Sequence, residues 1–236
     1  MFKLIHAELY KIFHRAYFFV MALCAAALCV VLMFAMRGEN MSKSVEFGTM
    51  LLSYPVFLLP MLTQIVSAEE FRDHTLKNTL AFGTNRTALY VAKWLTAIIL
   101  GVLLAAVVLV AYFGSAALLL TKDTAFTSGL MREFFTRVGA ASAVYVACIS
   151  MSVFFISLMS RSTLAIFLYY GAFYLTNLLL QLFRLVWGID YLLKTQIEAI
   201  AANPVSQLQQ PVVISLVTMA AFFAAGLAVF RRKDLC

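Results

Sequence analysis

From Leu95 to Leu120 the chain reads LTAIILGVLLAAVVLVAYFGSAALLL, without one charged residue. A helix needs about 20 consecutive apolar residues to cross the hydrocarbon core of a bilayer, so this stretch alone is long enough. Directly before it lies a segment of opposite character, Ser67–Trp94, SAEEFRDHTLKNTLAFGTNRTALYVAKW, which holds seven of the chain's 29 charged residues. A second apolar run borders it on the other side. The fold is decided by long apolar runs, and the question of function by the charged segment between two of them.

Composition agrees. Of 236 residues 64% are hydrophobic and 12% charged, and mean hydropathy is +0.93. Soluble domains carry about twice that charged fraction. The chain therefore reads as an all-α integral membrane protein, a single transmembrane domain over 1–236. Cys24, Cys29 and Cys148 lie in apolar runs and Cys236 is the last residue, so neither a disulfide framework nor metal-ligand spacing is present.

By the length rule six runs qualify, near Tyr17–Met36, Phe47–Val66, Leu95–Leu120, Val138–Met159, Thr163–Phe183 and Val212–Phe230. They are continuous rather than alternating, which favours helices over a barrel. The first is too long for a signal-peptide core and is read as a retained span. An even count puts both termini on one side. That side carries 11 Lys and Arg against seven on the other, or about +6 against +1 once acids are subtracted. Both termini and Ser67–Trp94 are therefore expected in the cytoplasm. The net charge of +7 thus has a topological meaning and does not indicate nucleic acid.

Residues 1–16 form a basic amphipathic arm. Phe2, Ile5, Leu9, Ile12, Phe13 and Ala16 share one helical face, opposite Lys3, Lys11, His14 and Arg15. This predicts an interfacial helix with its lysines toward anionic headgroups, or a plain extension of the first span. Pro55 and Pro60 predict a kink in the second span, for packing or for gating. Gly139, Ala140, Ser142, Ala143, Ala147, Ser150 and Ser152 line the fourth span and predict close helix packing.

In the fifth span Tyr170, Tyr174, Asn177, Gln181 and Arg184 succeed one another at helical steps and, at 100° per residue, fill an arc of about 80°. Polar groups in hydrocarbon need partners, so the stripe faces either a buried network or a substrate pathway. The connection 184–211 is long, with Tyr191, Leu192, Leu193, Ile197 and Ile200 predicting one or two short helices over Ile189–Ala202 and Asn203-Pro204 and Pro211 as punctuation. It folds back onto the outer membrane surface, either as a cap over a pathway or as a plain surface loop.

Within Ser67–Trp94, Glu69 and Glu70 mark where the second span leaves the membrane. Ala68–Leu80 is an amphipathic candidate carrying Phe71, Leu76 and Leu80, Gly83 permits a turn, and Thr84 or Asn85 can cap a helix that leads Arg86, Tyr90 and Lys93 into the third span. The apolar tip Leu80, Ala81 and Phe82, flanked by charge, suits docking into a partner's groove.

No G-x-x-x-x-G-K-[ST] phosphate loop, H-E-x-x-H or G-x-S-x-G is present, so the chain is not expected to be an enzyme. Glu69-Glu70 with Arg72 and His74 approaches the E-E-x-x-x-R motif of CAAX-protease-like membrane peptidases, but the arginine stands two positions early and no histidine follows His74. A stand-alone secondary transporter or channel would show buried ion pairs or inverted repeats, and the sequence displays neither.

An acidic exit from the second span, a Gly83-Thr84 turn, and Arg86 and Lys93 before the third span are similar to permease subunits of type-2 ABC exporters. The amphipathic arm, six spans, long last outer connection and closing Phe230-Arg231-Arg232-Lys233-Asp234 extend the likeness over the whole chain. That resemblance implies a coupling elbow at 67–94 (Glu69, Glu70, Leu76, Leu80, Phe82, Gly83, Thr84, Arg86 and Lys93) gripped by a separate ATP-binding subunit in two copies. ATP and Mg would be held there and no cofactor by this chain. It also implies a second permease chain, identical or homologous, and residence in a bacterial plasma membrane. The substrate class would be a peptide, antibiotic or other amphipathic molecule, as in bacterial antibiotic export, resistance or immunity systems.

Overall fold

A computed structural model of the chain describes residues 2–72, 85–159, 162–183 and 186–232. Six helical segments among them are long and apolar enough to span: Ala16–Ala35, Met41–Ser67, Arg86–Leu119, Ser128–Leu158, Thr163–Leu182 and Val205–Arg232. All six expected spans are therefore present, and the fold is all-α. With an even number of spans both termini share one side, here called the terminal side.

The fourth span is the hub. It packs on the second, fifth and sixth spans, and 61% of its most apolar window is buried in the protein against 11–39% for the other five. Small side chains make this possible: Ala140, Ala141, Ala147, Ser150 and Ser152 are all buried, while Gly139 and Ser142 nearer the far side are exposed. The expected packing role holds for the buried part of the set.

The second span departs most from an ideal helix, and by more than the expected kink. Met41–Leu51 and Leu59–Arg72 are separate helices, joined through a 3₁₀ turn at Pro55–Phe57. Pro60, in the first turn of the second helix, has no N–H to give the Val56 carbonyl four residues back. In hydrocarbon such a carbonyl needs another donor, and the neighbouring spans supply it. The Tyr169 hydroxyl donates to Val56 O at 3.1 Å, that of Tyr170 to Phe57 O at 2.8 Å, and that of Tyr145 to Leu52 O at 2.5 Å. One turn further on, Thr63 donates to Pro60 O at 2.9 Å and meets the Ser152 hydroxyl at 2.5 Å. Three tyrosines of the fourth and fifth spans thus complete a helix that two prolines opened.

The fifth span is irregular at the same level. Gly171–Leu175 forms a wide π turn between Ser162–Tyr170 and Thr176–Leu182. The fourth helix begins at Ser128, ten residues before the expected Val138, capped by the Thr127 hydroxyl, which accepts from Leu130 N at 3.3 Å. It can start that early because Arg137, expected in a connection, finds partners. Its guanidinium lies 2.8 Å from Glu133 and donates to the carbonyls of Ile200, Ala201 and Asn203 at 2.6, 3.3 and 2.8 Å. Those carbonyls end the helix Leu193–Ala202, where orphan acceptors and the negative end of the dipole favour a cation.

The helix Leu193–Ala202 packs back onto the bundle. Leu193, Gln196, Ile197 and Ile200 form its buried face against the fourth and sixth spans, whereas Tyr191 is exposed.

Removing the Tyr169 hydroxyl takes from Val56 O a donor that Pro60 cannot replace. Interhelical hydrogen bonds in membranes average below 1 kcal/mol, and a stranded buried acceptor costs more. Tyr169→Phe is expected to lose about 1–2 kcal/mol in reversible unfolding from detergent. The exposed Tyr54→Phe should unfold as the parent does.

Candidate functional site

The described limbs of the 67–94 elbow meet both ends of the chain. Its outgoing limb continues the second-span helix through Arg72, so Glu69 and Glu70 lie on that helix. Leu76, Leu80, Phe82, Gly83 and Thr84 lie outside the described residues, and so does the expected apolar tip. The return limb starts at Asn85, whose side chain accepts from Thr87 N at 2.9 Å as an N-cap. From Arg86 a single helix then runs to Leu119. At about 1.5 Å per residue it is far longer than the ~30 Å hydrocarbon core. The elbow's return limb and the third span are one continuous helix.

Arg86 Nη1 donates to Arg231 O at 3.1 Å, capping the last turn of the sixth span. Four residues on, Tyr90 is buried with its hydroxyl toward Phe223 O at 3.5 Å and its ring against Phe223 and Phe230. This approach needs a glycine opposite, because a Cβ at Gly226 would lie 2.2 Å from the Tyr90 hydroxyl.

Lys93 was expected to belong to the partner-facing set, and its side chain does not reach the surface. It is 3% exposed, with Nζ 3.6 Å from Glu8 Oε2 and 3.3 Å from Val66 O. Glu8, 7% exposed, also pairs with Lys11 at 3.2 Å. The N-terminal helix Phe2–Phe13 packs through Glu8 and Ile12 on the bundle, while Phe2 is 88% exposed. Sequence reading placed only apolar residues on that face and overlooked Glu8. Its position between Ile5, Leu9 and Ile12 on one stripe was the available signal. The pair lies at the terminal-side end of the bundle, not at a midplane site of the kind a secondary transporter uses.

The fifth-span stripe is divided by the π turn, and a uniform 100° per residue does not describe it. Tyr170 and Tyr174 sit on Phe57 of the second span, Tyr170 by its hydroxyl and Tyr174 by ring stacking at 5.1 Å between centroids. Asn177 is buried and accepts from the exposed Gln181 at 2.8 Å. Arg184 lies outside the described residues. The stripe therefore contains a packed tyrosine pair and an amide pair.

The family model described as ABC-2 family transporter protein matches residues 4–177, from the N-terminal helix through the fifth span to Asn177. The chain belongs to the ABC-2 transporter family. No curated protein matches it significantly. As an ABC-2 permease, the chain is a multi-pass membrane component of a transporter, and family membership implies a separate ATP-binding subunit. The rival readings as a secondary transporter, channel or CAAX-type peptidase give way to this match.

On the side of the permease away from its termini, two connections are clasped together. Ser42 donates through its N–H to Asp123 Oδ1 at 3.3 Å and through its hydroxyl to Oδ2 at 2.5 Å, beside the Asn40–Thr121 bridge. The Ser42 hydroxyl holds the Asp123 carboxyl below its ordinary value of 3.8. The carboxylate is then worth more to the folded chain than to the unfolded one. Its contribution is present above the ordinary value and is lost as pH falls through the lowered one. Amide exchange at Met41 and Ser42 should accordingly rise below the ordinary carboxylate range in the parent, and already at neutral pH in Asp123→Asn.

Proposed function

We propose that this permease is the membrane half of an ATP-driven exporter in a bacterial plasma membrane, with both termini and 67–94 in the cytoplasm. Two copies of a separate ATP-binding subunit grip the elbow, and a second permease chain, identical or homologous, completes the pathway. The observation that carries this reading is the family match over the elbow, joined to the continuity of its return limb with the third span. A push on residues 76–85 would be delivered to the third span through one continuous helix, and to the second through Glu69 and Glu70 on its last turns.

Substrate would cross beside the second and fifth spans, where the proline break and the π turn meet. Irregular helix turns of this kind are common at moving or binding sites. Partly exposed Phe57, Tyr170 and Tyr174 and the Asn177–Gln181 amides offer both apolar and hydrogen-bonding contacts. That mixture suits an amphipathic substrate such as a peptide or antibiotic, exported for resistance, self-immunity or secretion.

In proteoliposomes holding this chain with its ATP-binding subunit, Phe82→Asp and Arg86→Glu are expected to abolish transport-coupled stimulation of ATP hydrolysis while membrane insertion is retained. Normal coupling in both variants contradicts the assignment of the elbow. Separately, Asn177→Leu and Gln181→Leu should lower transport without lowering basal hydrolysis; unchanged transport removes the stripe from the pathway.

A further inference from the structure

The Glu8–Lys93 pair is placed where the elbow begins and ends. A single ammonium group reaches the N-terminal helix through Glu8 Oε2 and the end of the second span through Val66 O, while belonging itself to the return limb. We propose that Glu8 is a positioning residue for the transport stroke, holding the N-terminal helix to the return limb so that the two move together. This rests on the reading that the elbow receives the push of an ATP-binding subunit.

Packing alone does not account for these charges. Burying an ion pair costs desolvation that its own attraction repays only in part, and apolar residues of similar volume often pack as well or better. Lys93 Nζ is instead placed between two other elements, 3.6 Å from Glu8 Oε2 and 3.3 Å from Val66 O, and that directed geometry resists sliding. The second carboxylate oxygen is held by Lys11 at 3.2 Å, which fixes Glu8 from the solvent side as well. Apolar neighbours on the same stripe, Leu9 and Ile12, slide past a helix far more easily than a carboxylate held at both oxygens.

The consequence reaches the first span. Only His14 and Arg15 separate the N-terminal helix from the spanning helix that starts at Ala16. A displacement of the return limb would therefore pass through Lys93 and Glu8 to the N-terminal helix and on to the first span, which itself packs along the third. Arg86 on Arg231 O makes a corresponding tie to the sixth span. Glu8 acts through another residue and has no contact with substrate to make.

The test uses the intact complex with its ATP-binding subunit in nanodiscs, with the four native cysteines replaced by alanine. Spin labels are placed at Leu118→Cys as reference and at either Tyr10→Cys on the N-terminal helix or Asn78→Cys in the elbow. Distances are read with and without trapping by ATP and vanadate. In the parent both labels should shift on trapping. In Glu8→Gln the elbow label should still shift and the N-terminal label should not, and exchanging the charges (Glu8→Lys with Lys93→Glu) should restore the second shift. A Tyr10 shift that survives in Glu8→Gln, or an elbow that moves in the parent without the N-terminal helix, overturns the role of Glu8 and leaves the elbow reading intact. Absence of any elbow shift in the parent overturns that reading and this inference with it. If Glu8→Gln does not assemble, Glu8→Leu with Lys93→Met removes both charges together, and is judged by the same two criteria.

Discussion

A carbonyl without a donor is the constraint around which this bundle is built. Pro60 cannot serve Val56 O, and the 3₁₀ turn at Pro55–Phe57 leaves neighbouring acceptors open. Water would satisfy them in a soluble protein, but hydrocarbon cannot. The Tyr145, Tyr169 and Tyr170 hydroxyls therefore bind the second span to the fourth and fifth at that level. The fourth span can serve as hub because its alanines and serines let three helices approach it. The broken helix is thus held by side chains from two others.

The ends of the bundle are held through charged side chains. On the far side, Arg137 closes the helix Leu193–Ala202 and Asp123 clasps two connections. On the terminal side, Arg86 and Lys93 tie the return limb of the elbow to the sixth span, the second span and the N-terminal helix. A long helix anchored in this way suits the transmission of a push in the proposed cycle. The proline break and the π turn lie farther along the bundle, where a change of shape would open or close a path.

Much of the architecture was legible because hydrocarbon imposes a length and a polarity that composition reveals directly. The six spans, the Asn85 cap, the disturbance at Pro55 and Pro60 and the fold-back after the fifth span all follow from local rules. What escaped were partners distant in sequence. Nothing local says that Tyr169 will face Val56, 113 residues away, or that Arg137 will meet the carbonyls of Ile200 and Asn203. Lys93 was placed in the partner-gripped set by the family resemblance, and Glu8, with which it pairs, lies in another helix. The π turn at Gly171–Leu175 has no periodicity signal, so the stripe was drawn on an ideal helix that the fifth span does not form. The elbow tip, including Leu80, Phe82 and Gly83, lies outside the described residues and is supported by sequence alone.

Everything proposed for the elbow requires that this permease work with a separate ATP-binding chain. Native mass spectrometry of the tagged protein, extracted mildly from its own membrane, measures that directly. The account predicts an assembly of two permease chains with two chains that carry a phosphate loop, dissociating when the elbow is altered at Phe82. A permease that is isolated without any such chain, and that still transports in vesicles lacking ATP, would contradict it.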